Sequence, residues 1–366
     1  MKIYCLNCKK FVEVPEKDSP CPRCGSRMCG LGDIASKLPP YEKEAALQFV
    51  KWLSEPPGKI TDAIDRIIGA ITEKVGKVVP KGVAEEITKY VILVLEFIQE
   101  ISAHTFIENK DELLRNLERK LGKGPLANTL CKIIPLLTGT GVLQTAEKLG
   151  YDAKSVEDLR VLNLKRTDKL TGQYMGLFGN KTLAALEGGL TGLGGWPLLM
   201  VDIPALTALN FRYIQQIGTC FGYDQYLPQE KIFTNRVFIF AFGGESGMRS
   251  GLTAKVAATY DLRALAYALA RNWTYAQMAK KTGLRGVLAW LKKSAPKQMA
   301  KYITKRKAAV AIPVLGAGLG AIINYATTSY TGKVGWYYFR YRKLLEDFGG
   351  LGGDDMPLVP LLPAKR

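Results

Sequence analysis

The most restrictive feature of this sequence is a pair of Cys-x2-Cys motifs near its start. Cys5 and Cys8 form the first motif, twelve residues follow, and Cys21 and Cys24 form the second. Four thiolates at this spacing match the tetrahedral ligand set of a zinc ion, whereas a redox pair or two disulfides would explain neither the doubling nor the spacing. Because about 30 residues cannot bury a sufficient core, we predict a zinc ribbon over residues 1–30 that folds around one structural Zn²⁺.

A shell of four thiolates leaves no open position for water or substrate, so a catalytic zinc is not expected here. A fifth cysteine, Cys29, lies five residues beyond the second motif and is predicted to be a spare thiol. Zinc ribbons also serve as docking modules for nucleic acid or protein, and the sequence leaves these roles open. The first ten residues lack the apolar segment of a secretory signal, which predicts a cytoplasmic protein.

Helical periodicity dominates the rest of the chain. Between residues 82 and 105 the apolar residues recur every three or four positions, which is the pattern of a helix with one buried face. Similar segments, separated by breaks that contain Gly or Pro, cover residues 41–54, 59–76, 109–121 and 154–176. Alternating patterns are scarce, and the best candidate strand, 233–242, is better interpreted as a buried helix. The sequence therefore predicts an all-α body.

Residues 308–332 form a stretch of 25 residues without a charged side chain. Its length would permit a membrane span, and basic residues flank it on both sides. Polar residues, among them Asn324 and Thr328, occupy its second half, so a buried helix hairpin is favoured over a span, while shallow insertion into lipid stays open. Gly316 and Gly320, four residues apart on one helical face, would form the close contact of that hairpin.

Positive charge is concentrated in the last third of the chain. Residues 262–345 contain 16 Lys and Arg and no Asp or Glu, whereas the remaining 35 basic and 33 acidic residues nearly cancel. This window therefore carries +16 of the formal net charge of +18. Such a field needs a polyanionic partner or water around it.

Within that window, residues 280–307 combine an apolar helical face with a run of lysines, which is typical of a helix that lies on anionic lipid. An aromatic cluster at 336–341 would form an interfacial belt on the same surface. The predicted contact residues are Arg285, Trp290, Lys292, Lys293, Lys297, Lys301, Lys305, Arg306, Lys307, Trp336, Arg340, Arg342 and Lys343. Two alternatives stay open: a surface that grips nucleic acid by stacking and phosphate contacts, and a face that is simply solvated.

Several blocks of this sequence resemble the EcsC family. The first runs from Leu186 to Gly195 (LEGGLTGLGG) and leads into VDIPAL at 201–206. The next are NFRYIQQIG at 210–218, with the following FGYD, and IPVLGAGLGAIINYA at 312–326. Together with LEFIQE at 95–100, the resemblance covers residues 80–345 in order and leaves the zinc ribbon outside.

The resemblance implies a multi-helix EcsC-like bundle and carries over no catalytic residue. The family is named for a bacterial protein encoded beside the subunits of an ABC transporter, so the resemblance implies accessory work linked to a membrane. Two departures are small. Phe221 stands where an aromatic residue, often Tyr, is usual, and Trp196-Pro197 interrupts the glycine block.

Polar residues in these blocks are predicted to form one internal network. Its members are Glu187, Asp202, Asn210, Arg212, Gln215 and Gln216. As a functional site, the two carboxylates, the arginine and the glycine-rich backbone would hold a ligand or perform acid–base chemistry. The favoured interpretation is structural: Asp202 caps a helix that begins at Ile203, and Arg212 pairs with Glu187. His104 is the only histidine, which excludes most His-dependent catalytic sites.

These observations predict four segments and one function. The segments are a zinc ribbon at 1–30, a linker at 31–40, a helical domain at 41–348 and a flexible tail at 349–366. We expect a cytoplasmic, peripheral-membrane accessory or regulatory protein that docks on anionic membrane through its basic C-terminal third, linked to an ABC transporter or export system. The alternatives are a zinc-ribbon protein that binds nucleic acid and an enzyme that uses Glu187 and Asp202. A non-enzymatic role is favoured.

Overall fold

The fold is taken from a computed structural model, which describes only part of the chain. The continuous described ranges are 2–5, 10–13, 38–55, 141–176, 196–225, 227–242, 252–270 and 316–348. Short described pieces lie at 22, 89, 92, 115–116, 118–119, 122–124, 127–128, 131 and 277. The predicted helix at 59–76, nearly all of the one at 82–105, most of 109–121, and the tail at 349–366 lie outside the described residues.

The elements of the described residues are two short strands followed by helices. The strands are β1 (Lys2–Cys5) and β2 (Lys10–Glu13). The helices are α1 (Pro40–Ser54), α2 (Val142–Lys148), α3 (Val156–Arg160), α4 (Leu164–Met175), α5 (Trp196–Cys220), α6 (Pro228–Phe242), α7 (Leu252–Ala270) and α8 (Gly316–Asp347). The predicted all-α body is therefore confirmed, and the segment 233–242 is helical, as expected, within α6.

The chain divides into two compact units. The first combines Met1–Pro57, Ser250–Leu288 and Tyr337–Arg366, so it contains β1, β2, α1, α7 and the end of α8. The second combines Gly58–Arg249 and Ala289–Trp336, so it contains α2 to α6 and most of α8. Both units are thus assembled from segments that are distant in the sequence.

The two strands form an antiparallel hairpin at the start of the chain. Their register pairs Lys2 with Glu13 and Cys5 with Lys10. Cys5 is therefore the last residue of β1, opposite the first residue of β2. The hairpin lies within the segment that the sequence predicts to be a zinc ribbon.

Local capping explains why the predicted helix at 154–176 is in fact two helices. Ser155 begins α3 with a capping box, in which its hydroxyl accepts from the Asp158 backbone and the Asp158 carboxylate accepts from Ser155 N. Asn163 then caps α4 by accepting from the Arg166 backbone N–H at 3.0 Å. These strong start signals at two places break the helical pattern into α3 and α4.

The predicted helix hairpin at 308–332 is wrong over its described part. The helix α8 runs without a break from Gly316 to Asp347, so residues 316–332 are the first half of one long helix. Each glycine costs a helix only about 1 kcal/mol, which the packing of a buried face outweighs. None of the helices in the described ranges combines the length and the apolar character that crossing a membrane requires.

The first unit contains an aromatic core between α1 and the end of α8. Phe49 stacks on Tyr341 with ring centroids 4.5 Å apart, and Trp52 stacks on Tyr337 at 4.6 Å. Tyr338 meets both α1 rings at steep angles. Such stacked and edge-on pairs contribute beyond the apolar area that they bury. These rings form a core, so the prediction of an interfacial belt is wrong for the tyrosines at 337–341.

Candidate functional site

The helix α5 is enclosed on all sides over most of its length. Every residue from Asp202 to Phe221 is buried. Five of the six residues of the predicted polar network lie on this helix, each at most 2% exposed: Asp202, Asn210, Arg212, Gln215 and Gln216. Polar groups lose their hydration in such a position, so each requires partners inside the protein. The sixth member, Glu187, lies outside the described residues, and its pairing with Arg212 stays a prediction.

Asp202 does not cap a helix, which corrects the structural interpretation made from the sequence. The helix α5 begins at Trp196, six residues earlier, and Pro204 lies inside it. Proline fits the first turn of a helix because its missing N–H has no partner there, and Pro197 occupies such a position. Asp202 is therefore an interior residue of the helix.

Several buried side chains of α5 bond back to the helix itself. The hydroxyls of Thr207 and Thr219 donate to the carbonyls four residues earlier, at 2.8 and 3.0 Å. The Asn210 amide nitrogen donates to the carbonyl of Leu206 at 2.8 Å. Arg212 Nη1 donates to Gln215 Oε1 at 3.3 Å. Much of the polar character of α5 is thus satisfied locally, in the manner of back-bonding side chains.

The helix α8 packs along α5 in a parallel orientation. Asn324 Nδ2 donates to Asp202 Oδ1 at 3.5 Å near the start of both helices. Further along, Gly332 lies against the ring of Tyr213, and Gly335 lies against Ile214. Residue numbers at successive contacts increase along both helices, so the two helices run in the same direction. The junction joins the two blocks of sequence, 201–206 and 312–326, that resemble the EcsC family.

Close approach of the two helices depends on glycine. A Cβ atom at Gly332 would overlap the Tyr213 ring, and one at Gly335 would lie 2.6 Å from Ile214 Cδ1. Tyr213 is fully buried, so its ring has no solvent to move into. The sequence predicted a glycine contact in this segment but assigned it to Gly316 and Gly320, of whose side-chain surroundings the structure says nothing.

The facing sides of α5 and α8 carry polar residues between the hydrogen bond of Asn324 with Asp202 and the contact of Gly332 with Tyr213. Asn210 lies three residues before Tyr213, and Thr328 and Thr331 lie four residues before Gly332 and Gly335, which places each on the contact side of its helix. All three are buried. We call this set, from Asp202 and Asn324 to Tyr213 and Gly332, the polar seam.

Burial also shifts the pKa values of two ionisable groups on α5. It raises the pKa of the Tyr213 hydroxyl and of the Cys220 thiol, and a hydrogen bond with Thr171 opposes the shift at Cys220 only in part. Both groups therefore stay protonated at neutral pH. A buried, protonated thiol is a poor nucleophile, so Cys220 is a core residue.

Three of the predicted membrane-contact residues are buried, which is a correction. Arg340, Arg342 and Lys343 are 3%, 3% and 2% exposed. Arg342 Nε bonds Glu346 at 2.6 Å, and Lys343 Nζ lies 3.1 Å from Asp347. Because these side chains are inside the protein, they do not reach lipid or nucleic acid in this structure.

The other predicted contact residues divide into two groups. Trp336 is half-buried and donates to Asp168 Oδ1 at 2.7 Å, so its indole N–H is used within the protein. Arg285, Trp290, Lys292, Lys293, Lys297, Lys301, Lys305, Arg306 and Lys307 lie outside the described residues. For these nine, the predicted contact with lipid or polyanion stays a prediction.

The predicted zinc ligands lie mostly outside the described residues as well. Cys5 is described by its backbone, whereas Cys8, Cys21 and Cys24 are not. In the part of the chain that is described, no three His, Cys, Asp or Glu side chains come together in a way that could hold a metal ion. The zinc site therefore stays a prediction from sequence.

Sequence reasoning missed Lys255, a buried residue of the first unit. Its ammonium donates to the carbonyls of Trp52 and Glu55, both at 2.8 Å, and lies 4.8 Å from the centroid of the Trp52 ring. It therefore closes the C-terminal end of α1, where a helix attracts positive charge. No local signal marks this role, since the two partners are about 200 residues apart in the chain.

Comparison with known proteins agrees with the resemblance noted in the sequence. The EcsC protein family profile matches residues 43–344. Protein EcsC of Bacillus subtilis (strain 168) is 25% identical over 193 residues, which are 53% of this chain and 70% of that protein. The uncharacterized protein YdbA of the same organism is 26% identical over 202 residues, which are 53% of this chain and 64% of that protein. No solved structure matches the chain.

Proposed function

Because the chain belongs to the EcsC protein family, we propose that it is an accessory protein of the EcsC type that docks on anionic membrane through residues 280–307. The proposal concerns the inner, cytoplasmic face of the membrane. An ABC transporter or export system, implied by the resemblance, is the proposed membrane partner. The alignments cover 70% and 64% of the two Bacillus relatives, so the activity of those whole proteins enters only as a proposal.

The observation that supports the proposal is that residues 280–307 carry many basic side chains and no acidic ones. Arg340, Arg342 and Lys343 are internal, and the last two pair with Glu346 and Asp347. Residues 280–307, in contrast, contain ten Lys and Arg and no acidic residue at all. At about 1 kcal/mol for each basic residue near an anionic surface, six contacts would contribute about 6 kcal/mol before entropy and screening.

We further propose that Cys5, Cys8, Cys21 and Cys24 hold one structural zinc ion. The hairpin of β1 and β2 supports this, because it ends one strand at Cys5 and begins the next at Lys10, with Cys8 in the connecting sequence. Four thiolates suit Zn²⁺, which would supply the folding energy that so short a segment lacks. The ribbon would serve as a head for docking to a protein partner.

Flotation with liposomes tests the membrane proposal. Zinc-loaded protein is mixed with neutral or with anionic vesicles at increasing salt, with RNA as a competitor. We expect flotation with anionic vesicles only, and its loss at high salt, because the attraction is electrostatic. Failure to float at low salt would contradict the proposal, and tight binding to RNA instead would favour the nucleic-acid alternative.

A matched pair of charge-reversal variants locates the surface. The first changes Lys292, Lys293, Lys305 and Lys307 to Glu. The second makes the same change of net charge at four exposed lysines of the second unit, Lys123, Lys148, Lys165 and Lys169. The first variant should lose flotation and the second should keep it. Equal loss in both would mean that net charge alone, and not residues 280–307, attracts the vesicles.

Metal analysis tests the zinc proposal. Purified protein should contain one zinc ion per chain, and changing Cys5 and Cys8 to Ser should abolish it. Changing Cys29 to Ser should leave the zinc content unaltered, because four ligands already close the shell. Full zinc content in the Cys5 and Cys8 double variant would overturn the assignment.

A further inference from the structure

The polar seam between α5 and α8 contains buried oxygen atoms that lack a hydrogen-bond partner. Four of them are Asn210 Oδ1, Tyr213 Oη, Thr328 Oγ1 and Thr331 Oγ1. Each residue is 0% exposed. Buried polar atoms in folded proteins almost always have a partner, and an exception points to a bound molecule that the protein chain does not include.

Helical spacing relates the four residues to the contacts between α5 and α8. The parallel packing sets Asp202 beside Asn324 at one end and Tyr213 beside Gly332 at the other. Asn210 lies on the contact side of α5 between these two ends, and Thr328 and Thr331 lie on the contact side of α8 between the same ends. All four residues therefore lie on the facing sides of α5 and α8 within the second unit.

The two α8 threonines differ from other buried threonines of this protein. The hydroxyls of Thr171, Thr207 and Thr259 each donate to the carbonyl four residues earlier in the same helix, at 2.7 to 2.8 Å. Thr328 and Thr331 also lie inside a helix but make no such bond. Their hydroxyls are therefore available to a molecule in the seam.

The chemistry of the four atoms selects the kind of molecule. Asn210 Nδ2 already donates to the Leu206 carbonyl at 2.8 Å, so Asn210 Oδ1 remains as an acceptor that needs a donor. An anion would provide no such donor. A metal cation would use the lone pairs but leave the three hydroxyl protons without acceptors. Only an uncharged molecule that both donates and accepts hydrogen bonds satisfies all four groups.

We propose that the polar seam binds buried water, which bridges Asn210, Tyr213, Thr328 and Thr331 between α5 and α8. Water is the smallest molecule with the required donors and acceptors, and internal waters typically make about three hydrogen bonds to such groups. The bound water completes a hydrogen-bond network that begins at Asp202 and Asn324. It makes the seam a wet helix contact inside the second unit, independent of any membrane or zinc site.

Isosteric substitutions distinguish a wet seam from a dry one. Thr328→Val and Thr331→Val each remove one hydroxyl and keep the volume. If water bridges the seam, each change leaves a bound water without one of its hydrogen-bond partners, so the midpoint of urea unfolding falls. The control Thr207→Val should also lower the midpoint, because it removes a hydroxyl that bonds a carbonyl of its own helix. In a dry seam the same changes remove an unsatisfied group, and the midpoint rises. A higher midpoint for both α8 variants overturns the proposal.

A crystal structure of the full chain, at a resolution that shows ordered water, provides the second readout. We expect water within hydrogen-bond distance of Asn210 Oδ1 and of the Thr328 hydroxyl, and its loss in Thr328→Val. Thr328→Ser, which keeps the hydroxyl, should retain it. A seam without water, or one filled by a larger molecule, overturns the proposal whichever way the unfolding midpoints move.

Discussion

Asn324 donates a hydrogen bond to Asp202 across 122 positions of sequence, and both residues are buried. Asp202 belongs to the block VDIPAL and Asn324 to the block ending IINYA, the two stretches through which the chain resembles the EcsC family. This hydrogen bond therefore brings together two blocks that carry the resemblance and lie far apart in the sequence.

We predict that Gly332→Ala destabilises the protein by about 1–3 kcal/mol, because the added methyl group would overlap the buried Tyr213 ring. The control is Gly172→Ala in α4, where nothing lies within 4 Å of the added atom. That change should stabilise the helix by about 0.5–1 kcal/mol. Urea unfolding of both variants checks the prediction. Equal stabilisation by the two changes would show that α5 and α8 are not in close contact at Gly332.

A second pair of glycines separates backbone strain from close contact. Gly222 and Gly150 both have positive φ, +80° and +76°. A Cβ at Gly150 meets nothing within 4 Å, so Gly150→Ala should cost only the conformational term of about 1–2 kcal/mol. At Gly222 the same atom would overlap the backbone of Arg160, and we expect a loss at least about 1 kcal/mol larger. Similar losses for both variants, measured by urea unfolding, would contradict the packing of this turn on the end of α3.

Lys255→Met should destabilise the protein by about 2 kcal/mol. The change keeps most of the side-chain volume but removes the charge that bonds the Trp52 and Glu55 carbonyls at the end of α1. Lys43→Met, at an exposed position of α1, is the control and should stay within about 0.5 kcal/mol of the unchanged protein. Thermal and urea unfolding give the comparison. No difference between the two variants would show that Lys255 does not secure α1.

Acid should weaken the start of α3 through Asp158. The backbone N–H groups of Lys154 and Ser155, and then the Ser155 hydroxyl, hold the pKa of this carboxyl below its usual value of 3.8. A lowered pKa in the folded state means that the unfolded chain binds the proton more readily, so the contribution is complete above pH 3.8 and is lost as the pH falls through the folded value.

The variant Asp158→Asn tests this assignment. It should be less stable than the unchanged protein at neutral pH, and the difference between the two should shrink as the pH falls below 3.8, because the unchanged carboxyl then becomes neutral as well. Free energies of unfolding measured over this pH range give the answer. A difference that stays constant down to the lowest pH would contradict a role for the Asp158 charge in capping α3.

Periodicity in the sequence was sufficient to find helices but not their partners. It located α1 and recognised the segment 233–242 as helical, because apolar spacing is a local property. It placed a hairpin inside 308–332, whereas the described part of this segment, 316–332, lies within the continuous helix α8. The reason is that the decisive contact, Gly332 against Tyr213, joins residues over 100 positions apart, and one sequence contains no record of such pairs.

The charge pattern located the excess of basic residues but wrongly suggested that Arg342 and Lys343 are exposed. Arg342 and Lys343 were grouped with the basic surface because the window without acids ends only at Leu345. Glu346 and Asp347 follow immediately, and on a helix they lie one turn away from the two basic residues. Spacing of four residues between opposite charges was the available signal for these ion pairs. The five polar residues of α5 that the sequence analysis singled out are buried, whereas the sequence analysis placed the start of their helix at Ile203 instead of upstream of Asp202.

The aromatic core of the first unit has a consequence for biosynthesis. Phe49 and Trp52 are translated well before the rings that cover them, Tyr337, Tyr338 and Tyr341. Translation of the intervening chain, about 290 residues at 5–20 residues per second, takes about 15–60 s. During that interval α1 lacks the cover that these three rings provide, and a chain that stops before Tyr337 never acquires it.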